Sequence, residues 1–144
     1  MVLFCGIIKQ INYYKNIYLY IMETEFVSIG PCCYTSEYVK NSGLHNHSYP
    51  FDWILSSIEM VKHCITDKFK TFLDLSYISD GNHSFYDEKI KTNILTRHSF
   101  HILGKYRPPV TFLHHNLHIE SVYNSMHRKC NRFLDLLNSN KKYF

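Results

Sequence analysis

Two adjacent cysteines, Cys32 and Cys33, stand between the strong turn pair Gly30-Pro31 and a segment with helical spacing. A cysteine at a helix N-terminus is stabilised as its thiolate, because the first N–H groups lack partners and the helix dipole is positive there. The same N–H groups can hold the oxyanion of an acyl-transfer intermediate. The spacing is compatible with thiol catalysis, although a buried cysteine beside a turn is more often structural.

A thiol nucleophile needs a proton acceptor, and histidine is the usual one. His114 and His115 follow the apolar run Val110-Thr111-Phe112-Leu113, which predicts a buried strand. Five histidines could instead combine with Cys32 or Cys33 around zinc, namely His45, His47, His114, His115 and His118. The sequence contains neither a CxxC pair nor a zincin motif. We therefore expect no metal ion and no cofactor.

The composition limits the classes of protein. The chain has 144 residues, 45% hydrophobic and 19% charged, which suits one domain with a buried core. The net charge of +4 is mild and no basic run is longer than a dipeptide such as Lys141-Lys142, so we expect no nucleic-acid partner. No apolar stretch approaches the roughly 18 residues that span a membrane. We therefore expect no membrane partner.

The cysteine pattern and the codon usage bear on where the protein works. The five cysteines form no regular disulfide framework, which is typical of reduced thiols in an intracellular, cytoplasmic protein. The N-terminus lacks the pattern of a secretory signal, because Lys9, Gln10 and Lys15 interrupt it. The chain has no alanine and is rich in Ile, Tyr, Lys and Asn, which indicates an AT-rich gene. Such a gene is consistent with a virus, in which case the cytoplasm is that of a host cell.

The elements that must position Cys33 can be predicted from the local pattern. Residues 26–29 are β-prone and predict a short strand before the turn. From Cys33 the spacing predicts a helix that ends near Gly43 and whose apolar face carries Tyr34, Tyr38 and Val39. The order is therefore strand, tight turn, cysteines and helix.

Later segments predict two more helices. Asp52 is a candidate N-cap, and the helix after it would carry its apolar positions at Trp53, Ile54, Ile58, Val61 and Ile65. The best helical pattern covers residues 119–137. Strands and helices alternate, so the fold class is α/β, with α+β as the alternative, and a small mixed sheet is flanked by helices.

Polar positions outside these patterns are expected at the surface. Residues 83–109 are polar and weakly patterned, so His98 and His101 within them are expected to be solvated. Arg128, Lys129 and Arg132 are expected on a solvated face of the last helix, with docking of an acidic partner as the alternative. We expect the aromatic rings of Phe51 and Trp53 to anchor the core.

Two stretches of the sequence resemble one family signature. The first is Ser28-Ile29-Gly30-Pro31-Cys32-Cys33 with Ser36 and Val39, and the second is Ser48-Tyr49-Pro50-Phe51-Asp52-Trp53-Ile54. They resemble the papain-like cysteine peptidase family otherwise catalogued as a domain of unknown function, with its pattern S-L-G-x-x-C followed by Pro-Phe-Asp-Trp. Phe112-Leu113-His114-His115 resembles the strand of the family that ends in a histidine, and residues 128–134 resemble its Arg-rich closing helix.

The resemblance implies roles for individual residues. Cys33 matches the cysteine of the motif and would be the nucleophile at a helix N-terminus, with Cys32 as the alternative. His114 would be the base, because it directly follows the predicted strand, with His115 as the alternative. Asp52 or Asn116 would orient that histidine, unless Asp52 is only a helix cap.

The resemblance also implies an organisation and an activity. Residues 1–21 would be an N-terminal extension and residues 22–144 one domain, cut at the C-terminus where Lys141-Lys142-Tyr143-Phe144 begins another strand. The protein would be a cysteine peptidase or related thiol hydrolase that cleaves an amide or ester bond of a protein or peptide. The alternative is an inactive, truncated member of the family that acts as a protein-interaction module.

Overall fold

A computed structural model of the chain describes residues 25–29, 32–80, 86–87, 92–93, 96–102, 104–106 and 111–139. The predicted N-terminal extension, the Gly30-Pro31 turn and the C-terminal residues 140–144 lie outside the described residues. The described elements are three α-helices, a short 3-10 helix and four short strands. The prediction of a mixed α and β fold is therefore confirmed.

Helix α1 spans Cys33–Asn41, and Cys32 occupies its N-cap position with extended backbone. The helix ends in a left-handed Gly43 (φ +70°), whose N–H donates to the Lys40 carbonyl while the Leu44 N–H donates to Val39. These two bonds are those of a Schellman motif, which only a residue tolerant of positive φ closes without strain. The predicted C-terminus near Gly43 is thus confirmed.

The apolar face predicted for α1 is wrong. Tyr34 and Tyr38 are each 74% exposed, whereas Ser36 is the buried residue of the helix. Ser36 faces inward because its hydroxyl donates a hydrogen bond to the backbone carbonyl of Asp52. Helix α1 therefore docks through a hydrogen bond and leaves its two tyrosines in solvent.

Helix α2 spans Ile58–Thr66 and begins later than predicted. Its N-cap is Ser57, whose hydroxyl accepts the N–H of Met60 at 3.2 Å, so Asp52 is not the cap. After the helix, Lys68 and Phe69 both adopt positive φ (55° and 61°). This sharp reversal turns the Phe69 ring into the core, where it is fully buried.

The strands are short and pair antiparallel wherever the structure describes them. Strand β1 (Ile78–Asp80) pairs with β4 (Thr96–His98), and β2 (Tyr86–Asp87) pairs with β3 (Thr92–Asn93). Isolated bridges join Phe112 to Thr96 on one side and to Ile54 on the other. The expected mixed sheet is therefore antiparallel in the described residues, and its segments run in the order Ile54, Phe112, β4 and β1.

Two of the predicted strands are shorter or missing. Residues 25–29 adopt no strand, and of the described residues 111–113 only Phe112 forms bridges. Helix α3 spans Glu120–Leu137, as predicted, and turns Met126, Cys130, Phe133 and Leu136 inward. The 3-10 helix, Leu75–Tyr77, leads into β1.

The core is centred on an aromatic cluster. The Phe51 ring lies 5.6 Å from Phe69 and 5.6 Å from Phe133, centroid to centroid, and Phe72 packs on Phe51 and Phe69. Three of these rings are fully buried, and such burial contributes about 2–3 kcal/mol per ring. Because Phe51 immediately precedes Asp52, the core fixes the backbone that carries the candidate site.

Candidate functional site

Cys33 is the first residue of α1 and Cys32 is its N-cap. Both thiols are half-buried and neither forms a disulfide. The cap makes no side-chain hydrogen bond to the helix, and the Thr35 N–H donates to the Cys32 carbonyl at 3.4 Å. The first turn can therefore offer the N–H groups of Cys33 and Tyr34 to another acceptor. This end of α1 can therefore offer a thiol and hydrogen-bond donors to a substrate carbonyl.

Asp52 links α1 to the loop that precedes the Pro-Phe-Asp-Trp tetrapeptide, residues 50–53. Its side chain is almost completely buried, and one carboxylate oxygen accepts the Tyr49 N–H at 2.8 Å and lies 3.3 Å from His45 Nε2. The other oxygen lies 3.5 Å from the Ser36 hydroxyl, one helical turn after Cys33. Within the described hydrogen bonds, the histidine that Asp52 contacts is His45, which the sequence did not single out for this position.

His114 contacts Trp53, the last residue of the tetrapeptide. Its ring is exposed and meets the Trp53 indole edge to face, with centroids 6.3 Å apart and an interplanar angle of 84°. Trp53 is half-buried and lies outside the core, so the prediction that it anchors the core is wrong, whereas it is right for Phe51. The Ile54–Phe112 bridge and the Leu55 N–H to Thr111 carbonyl bond (2.9 Å) hold the two segments together.

His115 points into a less polar environment than His114. Burial, together with the nearby charges of Lys129 and His114, lowers the pKa of His115 to about 4. Its Nε2 is buried without a described hydrogen-bond partner. This ring is therefore neutral at pH 7 and is a weak proton acceptor, so His114 is the better candidate base.

Asn116 serves the turn before α3. Its side-chain oxygen accepts the His118 N–H at 2.9 Å, and its backbone carbonyl accepts the Ile119 N–H at 3.1 Å. Asn116 is itself buried. The described contacts of its oxygen atoms are thus local and position the start of the last helix.

The basic residues of α3 do not all face solvent, contrary to expectation. Arg132 donates to the Ser48 carbonyl at 2.7 Å, and Lys129 is half-buried. Burial lowers the pKa of Lys129, while the charge of Asp52 opposes that shift. Only Arg128 is exposed as predicted. Helix α3 thus contacts the loop before the tetrapeptide through the bond from Arg132 to Ser48.

A second cysteine–histidine contact lies elsewhere, in the interior. Cys64 Sγ is 4.0 Å from His101 Nε2, which in turn is 3.2 Å from His63 Nδ1. Burial raises the pKa of the Cys64 thiol and lowers that of His101 to about 3, which favours the neutral form of both groups. A thiolate–imidazolium pair needs the opposite shifts, so this contact is structural.

The sequence placed His98 and His101 at the surface, and this prediction is wrong. Both rings are fully buried. His98 Nε2 lies 2.9 Å from the Thr71 carbonyl, and His98 Nδ1 accepts the backbone N–H of His101. The His98 ring also stacks on Phe72. No signal in a weakly patterned polar stretch indicated this, because the partners lie about 30 residues away in α2 and the turn after it. No group of three or more metal-binding side chains suited to an ion occurs among the described residues.

The tetrapeptide contacts both of the segments that carry the candidate residues, but the structure does not bring the Cys33 thiol and the His114 ring into contact. Asp52 contacts the turn of α1 that follows Cys33, and the next residue, Trp53, contacts His114. In the part of the chain that the structure describes, no hydrogen bond joins Cys33 to a histidine ring. The cysteine and the histidine are thus linked through Asp52 and Trp53 in this conformation.

These features define a mixed α and β protein with a cysteine at the start of a helix that is tethered to a buried Pro-Phe-Asp-Trp turn. The chain belongs to the family described as "Putative papain-like cysteine peptidase (DUF1796)", whose model matches residues 24–144. The resemblance read from the motifs is thereby confirmed. Searches of curated proteins and of solved structures found no match. The helices that the structure describes include none with the length and apolarity needed to cross a membrane.

Proposed function

We propose that the protein is a papain-like cysteine hydrolase in which Cys33 attacks the carbonyl carbon of an amide or ester bond in a protein or peptide. The observation that carries the proposal is the position of Cys33 as the half-buried first residue of α1, in a chain that belongs to this family. Cys64 and Cys130 are buried, and burial raises the pKa of both thiols. Among the described cysteines, this leaves the pair at the start of α1 as candidates.

In the proposed reaction, His114 accepts the thiol proton as Cys33 Sγ bonds to the carbonyl carbon. The N–H groups at the start of α1 hold the negatively charged oxygen. When the tetrahedral intermediate collapses, the C–N or C–O bond breaks and His114 returns the proton to the leaving amine or alcohol. Water, deprotonated by the same ring, then hydrolyses the acyl-enzyme and releases the acid.

His114 is preferred to His115 because it is exposed to solvent and substrate, whereas His115 is kept neutral by burial. Asp52 has a supporting role in the proposal. Its contacts to Ser36 and His45 hold α1 and the neighbouring loop in place. An intracellular location is part of the proposal, and the unpaired thiols among the described residues are compatible with it.

The experiment is alkylation by iodoacetamide as a function of pH, with the modified cysteine identified by mass spectrometry. We expect Cys33 to react at pH 6 faster than a free thiol would, and Cys33→Ala to remove this fast reaction. Cys32→Ala is the matched control, because it removes the neighbouring half-buried thiol and is expected to retain the fast reaction.

His114→Gln tests the base, with His115→Gln as its neighbour control. We expect His114→Gln to abolish the enhanced rate at pH 6 and His115→Gln to preserve it. A wild-type Cys33 that reacts no faster than a free thiol at any pH would overturn the proposal and favour an inactive interaction module. Loss of the fast reaction in Cys32→Ala but not in Cys33→Ala would move the nucleophile to Cys32 and would equally refute the role of Cys33.

A further inference from the structure

Trp53 has an unusual environment for the aromatic residue of a buried turn. Phe51, Asp52 and Ile54, which flank it in the sequence, are almost completely buried. Trp53 itself is only half-buried. It lies outside the core cluster, and its described aromatic partner is His114. Burial in the core therefore does not account for a tryptophan at this position.

We propose that Trp53 is a positioning residue for His114, which rests on the proposed function of His114 as the base for Cys33. The rings meet at 6.3 Å and 84°, within the range of favourable edge-to-face pairs. An exposed histidine otherwise samples several side-chain rotamers. Contact with a fixed indole restricts those rotamers and therefore holds the ring nitrogens in one direction.

The indole can have this effect because its own backbone is held on both sides. The Asp52 carbonyl accepts the Ser36 hydroxyl, and Ile54 bridges to Phe112, two residues before His114. Trp53 thus lies between the helix that begins at Cys33 and the segment that carries the histidine. The position of its ring is set by both elements.

Trp53 takes the place that an amide or a carboxylate has behind the histidine of a papain-like site. In the described part of the chain, His114 makes no hydrogen bond. The Asp52 carboxylate contacts His45, and the Asn116 side-chain oxygen accepts from the His118 N–H.

The test is a double-mutant cycle between Trp53 and His114, measured as the rate of Cys33 alkylation by iodoacetamide across pH. We expect Trp53→Leu to lower the rate at pH 6 to 7 by roughly 3- to 10-fold, in line with the free energy of an edge-to-face pair. Trp53→Phe keeps an aromatic ring and should recover most of the rate. In the His114→Gln background, Trp53→Leu should have no further effect, because the contact is already absent.

Tyr38→Leu is the matched control, because Tyr38 is an equally exposed aromatic residue of α1 that lies outside its first turn and has no described contact to His114. It should leave the pH profile unchanged. Proton NMR gives an independent measurement, since the His114 ring protons should lose an indole ring-current shift in Trp53→Leu but not in Tyr38→Leu. Circular dichroism and urea unfolding verify that each variant is folded.

The possible outcomes separate this inference from the proposed function. If His114→Gln leaves the alkylation rate unchanged, the proposed function fails and this inference fails with it. If His114→Gln slows the reaction but Trp53→Leu has an equal effect in both backgrounds, Trp53 acts only on the fold and this inference alone is overturned. An unchanged rate in Trp53→Leu, with His114→Gln slow, overturns it in the same way.

Discussion

Acidification should destabilise the protein through His101, a fully buried histidine. Burial is the main cause that lowers the pKa of His101 to about 3; the charges of His98 and His63 act in the same direction, and the charge of Asp67 opposes them. In the unfolded chain the ring titrates at its ordinary pKa of 6.5. Between these two values the unfolded state binds the extra proton, so the free energy of unfolding falls as the pH drops from about 6.5 towards 3.

The expected size of the effect follows from the two pKa values. Integrating the difference in bound protons from pH 7 to pH 5 gives a loss of about 2 kcal/mol for His101. His115, with its pKa lowered to about 4, contributes a loss of similar size, about 2 kcal/mol, over the same interval. The sum is a large share of the total stability of a domain of this size, which is about 5–15 kcal/mol. Burial also lowers the pKa of His98, which acts in the same direction.

Urea unfolding at pH 7 and pH 5 measures this loss in the wild type and in His101→Phe. A phenylalanine ring fits the aromatic surroundings of Phe72, Phe100 and Tyr106, whose ring centroids lie 5.3–6.2 Å from His101, and it cannot take up a proton. We expect its loss between the two pH values to be smaller than that of the wild type by about 2 kcal/mol.

The control for this prediction is His127→Gln. The His127 ring is exposed on α3, so its solvent contact changes little on unfolding, and the variant should follow the wild type. A His101→Phe protein whose stability falls as steeply with acid as that of the wild type would refute the reasoning, because His101 would then not be held neutral by the fold.

Three further predictions concern stability and thiol protection. Ser57→Ala should lower the free energy of unfolding by about 1 kcal/mol through loss of the α2 cap, with Ser57→Asp near the wild-type value; equal losses in both would contradict a capping role. Asp52→Ala should lower the free energy of unfolding in urea by about 2–4 kcal/mol, because it leaves the buried Tyr49 N–H without its acceptor. Asp52→Asn should lower it less, because the amide oxygen can still accept. A larger loss in Asp52→Asn than in Asp52→Ala would argue against this hydrogen bond. Cys64 and Cys130 should resist Ellman's reagent in the native state and react in urea, since both are buried and their thiol pKa values are raised; native-state labelling of either, located by mass spectrometry, would show that this interior opens readily.

Local signals in the sequence were enough for part of the fold. Helix α3 has a long amphipathic pattern, and Gly43 is where a left-handed C-cap is expected, so both were predicted correctly. The start of α2 was placed too early, because the short apolar run at Trp53 and Ile54 fits a helix and a bridged turn equally well. Periodicity alone cannot separate these two structures.

The candidate site depends more on contacts between distant segments. Family motifs identified Cys33 and the tetrapeptide, and the structure places both, while their catalytic roles stay predictions. The burial of Ser36 instead of Tyr34 follows from a hydrogen bond to Asp52, 16 residues away. The half-burial of Lys129, within reach of the Asp52 charge, follows from how α3 packs. No local pattern encodes such partners, because they exist only once the segments have met.

The turn at residues 50–54 has one more consequence. Consecutive residues contact opposite neighbours, Asp52 the cysteine helix and Trp53 the histidine segment, so the two contacts share a single register. A residue inserted between Asp52 and Trp53 would shift their Cα atoms apart by about 3.8 Å. The contact of Asp52 with α1 and the contact of Trp53 with His114 could then no longer form at the same time. Under the proposed function, replacement of the Cys33 sulfur would abolish the reaction and leave these contacts intact. The tetrapeptide is therefore a marker of the scaffold, and the thiol is a separate marker of the proposed reaction.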